Sequence, residues 1–309
     1  MLELATSLGL KIMPLYVTII LGYLLVHIFH TKKEDIASLL IYLIGPVVIF
    51  IASYKVELNL AVAILPITLF ILSSSISLIS LKISNNFFND NTKNILAFSA
   101  GTGNTGYFGI PLAIMLLDDN LANIYIFTVL ASLLYESTVG FFVVAKGHYN
   151  ISQSLIKVLK LPSLYAIILG IAFNINQVKL SDNLLGYLDY FKGTYAILGM
   201  MMIGMGLKGL KNVGIDKMFI GFAFGIKFII YPICTLFIIW IDSSFLHFFS
   251  SGLYKVMFIF SIVPMAGNTV AVASLLKVHP EKASFAVVLS TFISILTIPI
   301  MVAMFLNTF

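Results

Sequence analysis

The chain has 309 residues, of which 60% are hydrophobic and only 10% charged, with a formal net charge of +5 and a mean hydropathy of +1.05. Soluble domains are about one quarter charged, so no water-soluble core accommodates this much apolar side chain. The basic excess is spread as single lysines and lysine pairs between apolar runs, which excludes a nucleic-acid patch and leaves a role in membrane orientation.

About 20 consecutive apolar residues cross the hydrocarbon of a bilayer. Such runs recur between short polar clusters and predict ten spans, near 8–30, 35–53, 59–81, 93–117, 121–145, 161–177, 190–209, 216–241, 254–276 and 281–306. The opening MLELATSLGLKIMPLY has no basic segment before its apolar run and no clear small-residue cleavage site, so span 1 is read as retained. Orientation rests on lysine, because the sequence contains no arginine. The loop after span 1, with Lys32 and Lys33, and those alternating with it hold twelve lysines; the opposite side holds five, and Lys227 lies inside span 8. That asymmetry predicts cytoplasmic placement for the first set and external termini.

Spans 1 and 6 read PLYVTIILGYLL from Pro14 and PSLYAIILGIAF from Pro162. Spans 3 and 8 share PITLF from Pro66 and PICTLF from Pro232, and spans 4 and 9 share Gly-Asn-Thr at Gly103, Asn104 and Thr105 and at Gly267, Asn268 and Thr269. The matches keep their order, so the chain is read as two five-span repeats, residues 1–147 and 148–309. An odd number of spans per repeat inverts the second half in the membrane, as in many alternating-access carriers.

Span 4 concentrates Gly101, Gly103, Gly106 and Gly109 ahead of Pro111, and span 9 carries Pro264 and Gly267 beside Asn268. Interior glycine costs a helix about 1 kcal/mol and proline about 3, so both spans are predicted to unwind. Matched breaks in two halves point to a transport site. The half-helix after each break offers free N–H groups and a positive dipole end, to which Asn104, Thr105, Asn268 and Thr269 add neutral donors. The arrangement suits an anion; the oxygens of the same side chains could instead coordinate a cation.

Glu136 in span 5 and Lys227 in span 8 each lie about 15 Å deep, at 1.5 Å per helical residue. Ionisable groups at that depth are costly and usually functional. A coupling proton on Glu136, and substrate charge balance or break stabilisation by Lys227, are one reading; a buried structural pair or a snorkelling lysine is the other. Cys234 is the single cysteine and the five histidines lack ligand spacing, so no disulfide, metal site or cofactor is expected. Asp118 and Asp119 are read as a solvated loop, and no phosphate loop or catalytic constellation is present, so an enzyme is not expected.

The segment from Asn104 to Pro111, an Asn-Thr-Gly-aromatic-x-Gly-hydrophobic-Pro run, resembles span 4 of the auxin efflux carrier family, and Pro264 with Asn268 resembles its second broken helix. The resemblance covers the whole chain. It implies an all-α fold like that of sodium/proton antiporters, with spans 4 and 9 crossing at the midplane. It further implies elevator transport by spans 3–5 and 8–10 against a scaffold of spans 1, 2, 6 and 7, and homodimers through spans 2 and 7. Family substrates include auxin in plants and small dicarboxylates such as malate or malonate in bacteria, and the resemblance places Asn104 and Asn268 at the substrate carboxylate. Plant members carry proline where this chain has Gly103, and many have a long cytoplasmic loop that is missing here. Both departures favour a bacterial-type carrier in the cytoplasmic membrane.

The sequence therefore predicts a secondary carrier of a small organic anion, run by the solute's own gradient or by H+ or Na+. The alternatives are a cation-coupled carrier of another solute and a non-transporting membrane sensor with the same fold.

Overall fold

A computed structural model describes residues 2–145, 161–206 and 216–308. The repeat boundary expected at 147/148, the polar link from Lys146 to Lys160, and Lys208 and Lys211 lie outside the described residues. Within them every regular element is a helix, and five helices are long and apolar enough to cross a bilayer.

In chain order the helices begin with α1 (Leu2–Ile28), α2 (Asp35–Lys55) and α3 (Leu60–Ser84). α4 (Thr92–Gly101) is followed by α5 (Ile110–Leu116), entered through a π-helical turn at Thr105–Gly109. Then come α6 (Asp119–Val144), α7 (Pro162–Ile175) and α8 (Asp182–Met205). α9 (Lys217–Leu246), α10 (Ser251–Ile262), α11 (Asn268–Leu275) and α12 (Pro280–Phe305) complete the chain. The five spanning helices are α2, α3, α6, α9 and α12.

Wide π turns in α2, ahead of α5 and in α9 cover Leu40–Ile44, Thr105–Gly109 and Ile226–Ile230. Each is followed by a proline at the second position beyond it, Pro46, Pro111 and Pro232. Proline lacks an N–H and its ring collides with the carbonyl four residues back. Widening the preceding turn moves that carbonyl aside and lets the helix continue. Pro111 therefore does not end its helix, contrary to its expected role as a helix breaker.

α1 packs on α8 and α2 on α7. Both contacts use glycine where backbones meet. A Cβ on Gly204 would strike the Ile19 carbonyl, and one on Gly170 would lie 2.7 Å from the Phe50 carbonyl oxygen. Close backbone approach through small residues is how helices associate where no hydrophobic force separates protein from lipid.

α8 begins at Asp182, earlier than the predicted 190. Ser181 caps it by accepting from the Leu184 N–H at 3.4 Å. The early turns carry Asp189 and Lys192, which lower the hydropathy there, and both charges are engaged. Lys55 Nζ is 2.6 Å and Lys192 Nζ 3.4 Å from the Asp189 carboxylate, and Lys192 also donates to Asn123 Oδ1 at 2.8 Å.

The half-length helices α4 and α10 lie inside the bundle. Ile95 to Phe98 and Val256 to Ile259 are without solvent exposure, so protein surrounds them on successive helical faces. A helix that stops within the hydrocarbon needs such enclosure, because lipid supplies no hydrogen bonds to its open end.

At the other end of α9, Asp216 caps the helix by accepting from the Phe219 N–H at 2.9 Å and pairs with Lys282 at 2.8 Å. Lys282 also donates to Thr92 Oγ1 at 2.8 Å, tying α4, α9 and α12 together. Burial works against the Asp216 charge, but the hydrogen bond from Lys282, the Phe219 N–H and the Lys282 charge outweigh it and hold the carboxyl below the usual carboxylate range. A depressed folded pKa stabilises above the unfolded value of about 3.9 and is lost as pH falls through the folded one. Asp216→Ala is expected to lower stability by about 1 kcal/mol through the lost cap. Thermal unfolding in detergent checks this: the gap from the unsubstituted protein is present at pH 7 and narrows below about pH 4.

Candidate functional site

Both spans predicted to break leave helical geometry, at Thr102–Asn104 and at Val263–Gly267. Thr102 and Val263, each directly after a half-helix, are extended, with φ/ψ of −115°/155° and −65°/150°. The breaks touch through their backbones: the Asn104 N–H donates to the Pro264 carbonyl at 2.8 Å. Proline has no N–H to donate in return, and the next residue, Met265, gives its N–H to Ser290 Oγ on α12 at 3.1 Å. Tyr125 Oη on α6 donates to the Thr105 carbonyl at 3.3 Å, and Thr105 Oγ1 donates to Ser132 Oγ at 2.8 Å.

Glu136 joins the two breaks a second time. Its Oε1 accepts from Thr102 Oγ1, and its Oε2 accepts from Asn268 Nδ2 at 2.6 Å. α6 therefore carries Ser132 and Glu136, one helical turn apart, against the same crossing.

Lys227 lies on the opposite flank, inside the π turn of α9 and 1% exposed. Its Nζ is 4.5 Å from the centroid of the Tyr231 ring, whose hydroxyl meets Ser73 Oγ at 2.7 Å. A Cβ on Gly103 would be 2.5 Å from Lys227 Nζ and 2.9 Å from Val263 Cγ2. The amino group thus occupies the space beside residues that follow the carboxyl-terminal ends of α4 and α10, where unpaired carbonyls concentrate negative potential. Glu136 and Lys227 do not pair with each other; each is held by different partners at the crossing.

A cavity of about 360 Å³ opens along the crossing. Gly103, Asn104, Thr105, Gly106, Gly267 and Asn268 line it, together with Ser132, Glu136 and Tyr195. It extends to Leu161 and Ser163 at the start of α7 and to Phe141 in α6. Among the described residues that line it there is no lysine, arginine or histidine. Three polar features on its wall have no hydrogen-bond partner among the described residues. The first is the Asn104 side-chain amide, on a residue only 5% exposed. The second is the Tyr195 hydroxyl, on a residue 9% exposed. The third is a pair of backbone N–H groups: Thr105 bonds to Gly103 O and both Phe108 and Gly109 bond to Asn104 O, leaving Gly106 and Tyr107 without a backbone acceptor.

The two Gly-Asn-Thr motifs are not equivalent in space. Asn268 is committed to Glu136 while Asn104 is unengaged. Thr105 is bonded to Ser132, whereas Thr269 Oγ1 is buried without a partner. Gly101 ends α4 against the Tyr135 side chain, and Gly106 faces the cavity. Pro111 sits beyond the site, inside the continuing helix. Thr102, Ser132 and Tyr195 were not singled out by the sequence. Ser132 could have been found from its four-residue spacing to Glu136, while Tyr195 has no local signal.

The chain matches no protein-family model, and a search of curated proteins returns no match.

Gly103 and Gly267 stand at corresponding motif positions but differ in space: nothing lies within 4 Å of a Cβ on Gly267. Gly103→Ala is expected to cost about 1–3 kcal/mol through overpacking against Lys227, and Gly267→Ala to stay within about 0.5 kcal/mol of the parent. Thermal unfolding of the two variants side by side checks the contrast.

Proposed function

We propose that this chain is a secondary carrier of a small organic anion, working by alternating access in the cytoplasmic membrane of a bacterium, in the manner of the auxin efflux carrier family. The observation that carries the reading is the meeting of two interrupted helices, through Asn104 N–H and Pro264 O, on the wall of a cavity sized for a small solute. Interrupted helices crossing inside a bundle expose backbone groups that a solute can use, which a purely structural bundle has no need of.

The proposal includes ten spans in two inverted five-span repeats, with α4–α5 and α10–α11 as the broken fourth and ninth. The crosswise packing of α1 on α8 and α2 on α7 supports it, because a two-fold relation between halves exchanges those two pairs. Spans 1, 2, 6 and 7 then form the scaffold, and the elevator carries the crossing past it. Termini outside and the lysine-rich loops inside complete the arrangement. A homodimer through spans 2 and 7 is part of the proposal; Tyr42 on α2 and Tyr187 and Tyr190 on α8 are exposed side chains such a contact would use.

The Asn104 amide and the N–H groups of Gly106 and Tyr107 supply donors for a carboxylate. Glu136 on the same wall opposes an anion unless its charge is neutralised on loading. Coupling to H+ at Glu136 therefore follows from the anion reading. Glu136 is also the observation favouring a second reading, a proton- or sodium-coupled carrier of a solute of different charge.

Uptake of labelled mono- and dicarboxylates into proteoliposomes tests the proposal. Saturable uptake is expected, falling at least tenfold in Asn104→Ala while the protein stays folded. Glu136→Gln is expected to flatten the pH dependence of the rate. Ligand binding without flux would favour the sensor, and flux of neutral or cationic solutes alone would favour the second reading.

A further inference from the structure

Tyr195 is 9% exposed and lines the cavity, and its hydroxyl, open to that cavity, has no hydrogen-bond partner among the described residues, so it is free to bond a solute there. Its position is well defined. The ring lies 5.9 Å from that of Tyr107 at 34°, and its Cε2 is 3.4 Å from where a Cβ on Gly45 would be. The hydroxyl is 3.1 Å from where a Cβ on Gly106 would stand. It therefore sits beside the second residue of the helical run after the first break, where five residues of π turn from Thr105 continue without interruption into seven of α-helix. The N–H groups of Gly106 and Tyr107 at this start have no backbone acceptor among the described residues.

Two independent features thus converge on one point: an open helix start and an unpartnered hydroxyl from a different helix, α8. All of these groups are donors, none is charged, and Gly106 leaves space between them. A planar anionic group with two acceptor oxygens satisfies them together, one oxygen on the N–H groups and the other on the hydroxyl. Charge-assisted bonds of this kind are the strong ones.

We propose that Tyr195 is a specificity-determining substrate-binding residue, whose hydroxyl donates to the carboxylate of a small organic acid seated on the Gly106 and Tyr107 N–H groups. This rests on the anion-carrier reading and adds a residue of α8, outside both Gly-Asn-Thr motifs. Discrimination follows from the donor set. A primary amide of the same size keeps one acceptor oxygen but presents N–H groups to a second donor, and a site built of donors rejects it.

The experiment measures binding to the purified full-length protein by ligand-induced thermal shift and calorimetry. The probes are the acids acetate through glutarate and, for the tightest of them, its primary amide. The unsubstituted protein is expected to prefer the acid to the amide. Tyr195→Phe is expected to weaken acid binding about ten- to hundred-fold, to leave amide binding within about threefold, and to leave the ligand-free melting temperature unchanged or raised, since the hydroxyl removed has no partner. Gly106→Ala, whose Cβ would stand 3.1 Å from the hydroxyl in the space between the donors, is expected to reproduce the loss. Asn104→Ala separates the two levels. If it loses acid binding while Tyr195→Phe and Gly106→Ala bind as the parent does, the inference about Tyr195 fails and the carrier reading stands. Equal weakening of acid and amide in Tyr195→Phe, or a lowered ligand-free melting temperature, assigns the residue to packing and overturns the inference. If the unsubstituted protein binds none of the acids, both fail together.

Discussion

A backbone group released inside a bilayer must find another partner, and the rest of this structure is arranged around one such bond, from the Asn104 N–H to the Pro264 carbonyl. It ties two interrupted helices at the point where each has given up its own ladder. Around it, Met265 turns to Ser290, Tyr125 covers the Thr105 carbonyl, and Glu136 holds Thr102 and Asn268. The enclosure of α4 and α10 by protein follows from the same requirement. Lipid against those ends would leave several carbonyls without donors.

The crossing separates two kinds of electrostatics. Lys227 is not among the described residues that line the cavity; it lies against Gly103 and Val263, with its amino group over the Tyr231 ring. Glu136 lies on the cavity wall, within reach of a solute. The two ionisable side chains therefore have different surroundings, one beside Gly103 and Val263 and the other on the cavity wall. The same division marks the repeated motifs: one asparagine is fixed by Glu136 and the other is left unengaged. The two copies of Gly-Asn-Thr thus sit in different surroundings.

The prolines show how breaks are confined to where they are used. Pro46, Pro111 and Pro232 all lie within helical runs, and in each case a π turn just before them absorbs the strain. Chain interruption occurs instead at Thr102–Asn104 and around Pro264, where neighbouring helices supply the missing hydrogen-bond partners. A proline by itself thus does not decide where a helix ends; its surroundings do.

Apolar run length and glycine and proline content are local properties, and for that reason the sequence by itself determined the helical class, the five stretches long and apolar enough to cross a membrane, and the neighbourhoods of both breaks. It also marked Glu136 and Lys227 as unusual from their depth alone. The α8 start was misjudged because Asp189 and Lys192 read as loop charges until Lys55 and Asn123 are seen beside them. Only the tertiary structure decided that Glu136 and Lys227 are not partners, that Gly103 is crowded while Gly267 is open, and that Tyr195 faces the cavity. Those outcomes depend on which helices, far apart in the chain, are pressed together, and hydropathy carries no record of a helix's neighbours.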